Sequence, residues 1–207
     1  MTKAVFFGAS SVEGAGASTP DKRFTTLICR ALGWEEINLG VGGTTMAGRG
    51  EDGLLTDEES GIGRVPDILH AAPNFLLILY GANDFGTSRP LGSSEKFLPG
   101  TFLSDYDTAL RGLIENLPDT RIVLATSQYR ADADTPNALG LTLSDYNGVV
   151  RHLAGRYGLE LADAAASCGI DARNFAALSA DASHLNDDGY QRLAAYYIEC
   201  LTTDRCN

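Results

Sequence analysis

Four short runs of strand-forming residues punctuate the chain: Ala4-Val5-Phe6-Phe7, Glu36-Ile37-Asn38-Leu39, Phe75-Leu76-Leu77-Ile78-Leu79-Tyr80 and Arg121-Ile122-Val123-Leu124-Ala125. They read as buried strands. Leu159 to Ala162 is a weaker fifth. Between them the apolar positions switch to helical spacing. Phe24 to Leu32 is one such stretch, and Tyr106 to Leu117 carries Leu110, Leu113, Ile114 and Leu117 on one stripe before Pro118 ends it. Tyr146 to Tyr157 aligns Val149, Val150 and Leu153, and Gly189 to Leu201 aligns Leu193, Ala194, Tyr197 and Leu201. Strands alternating with helices predict a parallel sheet covered on both faces, a three-layer α/β/α fold. Such sheets bind ligands at the carboxyl ends of their strands.

Three polar stretches interrupt the alternation: Ala47 to Gly63, Phe85 to Thr101 and Gln128 to Thr142. Each follows a strand, or a strand and a short turn, so each is expected to project from the edge where a site would lie. The acidic portion from Glu51 to Ser60 reads as solvated decoration.

The 207 residues show no break in composition and suit a single domain over 1–207. A net charge of −11 argues against nucleic acid or anionic lipid as partner, since both are bound largely through Lys and Arg. No apolar stretch approaches the roughly 20 residues of a membrane helix, so membrane insertion is not expected. The first strand begins almost at Met1 with no room before it for a signal peptide, which leads to the expectation of a cytoplasmic protein. Cys29, Cys168, Cys200 and Cys206 form no Cys-x-x-Cys pair, so reduced structural thiols are expected. Pairing of Cys200 with Cys206 is the alternative in an oxidising compartment. No Asp/Glu/His cluster has metal-ligand spacing, and Gly14-Ala15-Gly16 lacks the lysine of a phosphate loop. Chemistry without metal or cofactor is expected.

Ser10 follows the first strand, Gly42-Gly43 the second and Asn83 the third, while Asp181 and His184 precede the last helix. A parallel sheet would bring these four segments to one edge. Together they make an acyl-transfer set. A serine hydroxyl becomes a nucleophile when a neutral imidazole takes its proton, and a carboxylate fixes that imidazole's tautomer. Asp181 and His184, three residues apart, fit within one turn. The backbone N–H groups of Ser10 and Gly43 and the amide of Asn83 are candidate oxyanion donors, with Gly43 expected to permit close backbone approach. Taken singly these residues also read as turn glycines, a helix cap and a surface histidine. Ser11 is the alternative nucleophile, with a hydrogen bond inside the turn as its ordinary role. His70, near a helix end, and His152, beside Arg151, lack partner patterns and read as surface residues.

Gly8-Ala9-Ser10-Ser11, Asn38-Leu39-Gly40-Val41-Gly42-Gly43-Thr44-Thr45, Gly81-Ala82-Asn83-Asp84 and Asp181-Ala182-Ser183-His184-Leu185-Asn186 resemble, in order, the four blocks of the SGNH hydrolase superfamily, the GDSL esterases and lipases. The resemblance implies a flavodoxin-like sheet of five parallel strands in the order 2-1-3-4-5. It also implies Ser10 as nucleophile, His184 as base, Asp181 as its orienting carboxylate, and Ser10, Gly43 and Asn83 as oxyanion donors. Two positions depart from the pattern: Ala9 and Thr44 stand where the family often has Asp, which puts the hydrogen bonding of the first loop in question.

The expected substrate is a small ester with a short acyl or acetyl group, acetylated sugars included, with Phe85, Tyr129 and Arg130 as candidate pocket walls. The same triad would serve a thioesterase or lysophospholipase. A non-catalytic binding module on the same fold is the alternative outside enzymology.

Overall fold

The computed structural model describes residues 1–48, 59–203 and 206. The strands are β1 (Lys3–Gly8), β2 (Glu35–Gly40), β3 (Phe75–Leu79), β4 (Arg121–Ala125) and β5 (Glu160–Ala162). All neighbours pair in parallel, and the order is β2-β1-β3-β4-β5, as the family resemblance implied.

The unbroken apolar runs are explained by two cores, one on each face of the sheet. Ala4, Phe6, Leu77, Val123 and Ala125 point into one; Val5, Phe7, Leu76, Ile78 and Leu124 point into the other. The first core is closed by α1 (Ser10–Glu13), α2 (Phe24–Leu32), α7 (Ala164–Ser167), α8 (Phe175–Leu178) and α9 (Asp187–Thr202) through Val12, Phe24, Ala164, Phe175 and Leu193. The second is closed by α3 (Val65–Ala71), α4 (Ala82–Gly86), α5 (Phe102–Asn116) and α6 (Leu143–Tyr157) through Ile68, Phe85, Tyr106 and Val150. The central strands are thus fully buried, whereas β2 at the edge is only half-buried along most of its length.

Several boundaries differ from the periodicity. α5 begins at Phe102 and α6 at Leu143, each three or four residues before its apolar stripe becomes regular. Thr142 and Asp145 form a reciprocal capping box that starts α6 with polar residues. The polar stretch placed from Phe85 begins inside α4, and residues 49–58 of the stretch from Ala47 lie outside the described residues. The expectation of four reduced thiols is corrected for two of them. The end of α9 brings the Cα atoms of Cys200 and Cys206 to 5.0 Å, and the two form a disulfide, while Cys29 and Cys168 are free and buried. Among the described residues, no helix is long and apolar enough to cross a membrane.

Candidate active site

β1 ends at Gly8 because its successor must turn sharply under α1. A Cβ at Gly8 would lie 2.5 Å from both the Leu79 carbonyl oxygen and the Val12 side chain. Ala9 then leads into the single turn α1, of which Ser10 is the first residue. No carboxylate at position 9 is needed to hold this loop. The Ala9 carbonyl accepts from the Val12 and Glu13 amides, and Asn38 of β2 donates to the Val12 carbonyl at 2.7 Å and to Thr25 at 3.1 Å. A Cβ at Gly40 would fall 2.1 Å from the Glu13 nitrogen, so at this point the backbones of β2 and α1 are too close for any side chain.

His184 comes from the segment between α8 and α9. Ser179 and Leu185 form an antiparallel bridge, and the Ala180 amide donates to the His184 carbonyl. Asn186 caps α9 by accepting from the Gly189 amide while its own amide reaches the carbonyls of Ala177 and Ser179. The turn is further tied to the loop after β4 by the Ala131 amide, which donates to the Ala182 carbonyl.

This scaffolding sets the three groups in line. His184 Nε2 lies 3.0 Å from Ser10 Oγ, and His184 Nδ1 lies 2.8 Å from Asp181 Oδ2. The other Asp181 oxygen accepts from the backbone amides of Ser183 and His184, both at 2.7 Å. The hydrogen bond from the His184 ring, joined by these amides, holds the Asp181 carboxyl down at about 2 despite the opposing effect of its partial desolvation. An ionised carboxylate only accepts, so Nδ1 must donate to it; in the neutral ring Nε2 is then the acceptor, and the Ser10 hydroxyl donates. This is the proton arrangement a serine nucleophile requires.

Gly42 and Gly43 follow β2. A Cβ on Gly42 would come 3.8 Å from Ser10 Cβ, which puts the turn beside the serine. The reason for glycine at 43 differs from the expected one: a Cβ there would meet nothing within 4 Å, and it is the backbone, at φ +78°, that favours glycine. Asn83, in α4, donates from Nδ2 to the Thr44 carbonyl at 2.9 Å, leaving the second N–H of that amide for another acceptor. Neither the Ser10 nor the Gly43 amide has an acceptor among the described residues.

The segment carrying Gly43 is gripped from below. Asp84, fully buried, accepts from the Met46 and Ala47 amides, each at 3.0 Å. Burial raises its carboxyl to about 6, although these two amides, its own amide and the charge of Arg89 favour the ionised form. Asp105 takes the Gly48 amide at 2.7 Å. Thr44 needs no carboxylate: its hydroxyl donates to the Val41 carbonyl at 2.8 Å and lies 3.2 Å from the Tyr80 hydroxyl.

Ser10, Ser11, Ala82, Asn83, Gln128, Arg130, Ser183 and His184 enclose a cleft of about 100 Å³. Of the three expected walls only Arg130 lines it. Phe85 is directed into the second core, edge-on to Tyr146, because it lies on the buried side of α4. Tyr129 packs on Phe175 and lines a separate cavity of about 210 Å³ with Ser127, Asn147 and Arg151. Arg130 is immobilised: it pairs with Asp132, donates to the Ala82 carbonyl at 3.2 Å and lies over the Phe85 ring. Gln128 and Ser183 were not anticipated as lining. Ser11, expected to bond within its own turn, instead accepts from Gln128 Nε2 at 3.4 Å. His70 and His152 are exposed and remote from the cleft lining, and no group of three or more His, Cys, Asp or Glu among the described residues could hold a metal ion.

Solved structures share this architecture. A protein from Lactobacillus plantarum superposes with a TM-score of 0.82 at 21% identity, covering 97% of this chain and 96% of that one. A lipase/acylhydrolase from Enterococcus faecalis gives 0.70 at 20% identity, covering 97% and 95%. An acetyl xylan esterase gives 0.71 at 20% identity, covering 96% and 99%. No curated protein matches the sequence significantly. The model of the GDSL-like lipase/acylhydrolase family matches residues 6–192, nearly the whole chain. With four sequence blocks, the strand order and that match in agreement, the chain belongs to the GDSL-like lipase/acylhydrolase family.

Proposed function

We propose that this protein is a serine esterase that hydrolyses esters of short acyl groups, acetyl esters foremost, by way of an acyl-enzyme on Ser10. The reading rests above all on the alignment of Ser10 Oγ, the His184 ring and Asp181 at 3.0 and 2.8 Å. Ser10 Oγ attacks the ester carbonyl carbon as its proton passes to His184 Nε2, and the carbonyl electron pair moves onto oxygen. The amides of Ser10 and Gly43 and the remaining N–H of Asn83 hold that oxyanion. Collapse expels the alcohol, which takes the proton from Nε2 and leaves acyl-Ser10. Water then repeats the sequence and releases the acid. Asp181, ionised down to about pH 2, supports the imidazolium in both halves.

The preference for short acyl groups follows from the cleft, which at about 100 Å³ has room for a few heavy atoms and is walled mainly by polar side chains. An acetyl xylan esterase sharing the fold points the same way. The test is p-nitrophenyl acetate hydrolysis by the wild type and by Ser10→Ala, which should lose about 10⁴-fold or more in kcat. A binding module would show no turnover dependent on Ser10, and a preference for long acyl chains would overturn the substrate class.

A further inference from the structure

α4 carries Asn83 on a helix of only five residues, which starts after Gly81 at φ +124° and has no side chain capping it. A helix this short does not hold its own direction, so the aim of Asn83 must come from outside it. On one side the Gly43 segment grips it, through the Thr44 carbonyl and the Asp84 carboxylate. On the other stands Arg130, from the loop after β4. Its Nη1 donates at 3.2 Å to the Ala82 carbonyl, which belongs to the same planar peptide unit as the Asn83 nitrogen. A Cβ on Gly86 would come 3.6 Å from Nη1 and 3.8 Å from Nη2, so the guanidinium lies against both ends of α4. Arg130 is itself held: its Nε and Nη2 donate to the two oxygens of Asp132, and its side chain is 15% exposed. The next residue, Ala131, donates its backbone amide at 3.0 Å to the Ala182 carbonyl, between Asp181 and His184. One short stretch of chain thus ties the turn that aims the imidazole to the peptide that aims the amide.

Resting on the esterase reading above, we propose that Arg130 is a positioning residue: it fixes the Ala82–Asn83 peptide relative to His184, so that the remaining N–H of Asn83 is aimed at the oxyanion formed when Ser10 attacks. The guanidinium acts through Asn83 and not on the substrate, because its charge is matched by Asp132 and its plane is set by the Ala82 carbonyl and the Phe85 ring. A donor displaced by about an ångström loses much of its effect in the transition state. The loss has a ceiling, since misplacing Asn83 cannot cost more than removing it, about 10²-fold.

The test is a double-mutant cycle on p-nitrophenyl acetate, with Arg130→Leu made alone and together with Asn83→Ala. Leucine keeps an apolar body beside the Phe85 ring and removes every donor, while the backbone bond of Ala131 to the His184 turn survives the substitution. Arg130→Leu should lower kcat about 10-fold with KM within about twofold of the wild type. In the Asn83→Ala background it should cost less than about twofold, because the amide it positions is gone. Arg130→Lys, whose ammonium can still donate to the Ala82 carbonyl, should return kcat to within about threefold of the wild type. An unchanged kcat, an equal loss in both backgrounds, or a Lys variant no better than Leu overturns the inference. If Arg130→Leu does not fold, Asp132→Ala, at an exposed position, takes its place in the cycle. Releasing the guanidinium in this way should lower kcat about threefold, and the same loss without Asn83 overturns the inference equally. Turnover dependent on Ser10, measured alongside, separates the outcomes: its absence removes the esterase reading and this one with it, whereas its presence with additive losses removes only the role of Arg130.

Discussion

Asp84 offers the sharpest quantitative test of how the Gly43 segment is held. Its carboxyl is raised from 3.8 to about 6, chiefly by burial. At about 1.4 kcal/mol per pH unit, that gap corresponds to about 3 kcal/mol. Between these two values the folded protein keeps a proton that the unfolded chain has lost, so stability falls as pH rises. The contribution is complete below pH 3.8 and gone above about 6. Tyr80, Tyr106 and Tyr146, which feel the charge of Asp84, have their hydroxyls shifted upward, away from that window. Asp84→Asn removes the titration and sets an amide NH2 against one of the Met46 and Ala47 amides, which now donate to separate oxygens. The variant should therefore be less stable than the wild type at pH 4, and the difference should shift in its favour by about 3 kcal/mol by pH 7. Urea unfolding of both proteins at unit pH intervals measures this directly, because other titrating groups cancel in the difference. A difference that stays constant from pH 4 to 7, within the uncertainty of extrapolation, refutes the argument.

Other consequences are open to simpler assays. Asn83→Ala removes a proposed oxyanion donor and should lower kcat on p-nitrophenyl acetate by about 10²-fold or more with little change in KM; an unchanged kcat would exclude that role. Asp181→Asn leaves a neutral partner that no longer requires the Nδ1–H tautomer, and should lower kcat by about 10⁴-fold. The stability Asp181 contributes is present above pH 3.8 and is lost as pH falls toward 2; NMR titration of its carboxyl near 4 would contradict the depressed value. Thiol titration of the unfolded, unreduced protein should find two free thiols. Cys206→Ser should cost about 2 kcal/mol at most, given the short loop closed, with a corresponding fall in Tm.

The sheet was legible because its central strands are buried on both faces, so burial wrote itself into the sequence as unbroken apolar runs. The candidate site was legible as a juxtaposition, because Ser10, Gly43 and Asn83 each follow a strand while Asp181 and His184 precede α9. What stayed hidden was direction. Phe85 follows a site residue but lies on the inner side of α4, and Tyr129 neighbours two lining residues yet faces away from them. Helix starts were hidden because caps such as Thr142 and Asp145 are polar and interrupt the apolar stripe. Asp84 carried no role of its own in the sequence, and only the fold shows its carboxylate receiving amides from residues 38 and 37 positions earlier.

Residues 127 to 130 alternate between two cavities: Gln128 and Arg130 line the small one with Ser10, while Ser127 and Tyr129 line the larger one behind it. The 127–130 segment thus hangs alternate side chains toward different cavities, like coats on the two sides of a shared wall. Trimming position 128 or 130 would widen the small cleft, and trimming 129 would enlarge the room next door. Joining the two would mean reshaping the 127–130 segment itself, so the extent of the small cleft depends on an element less easily altered than its side chains.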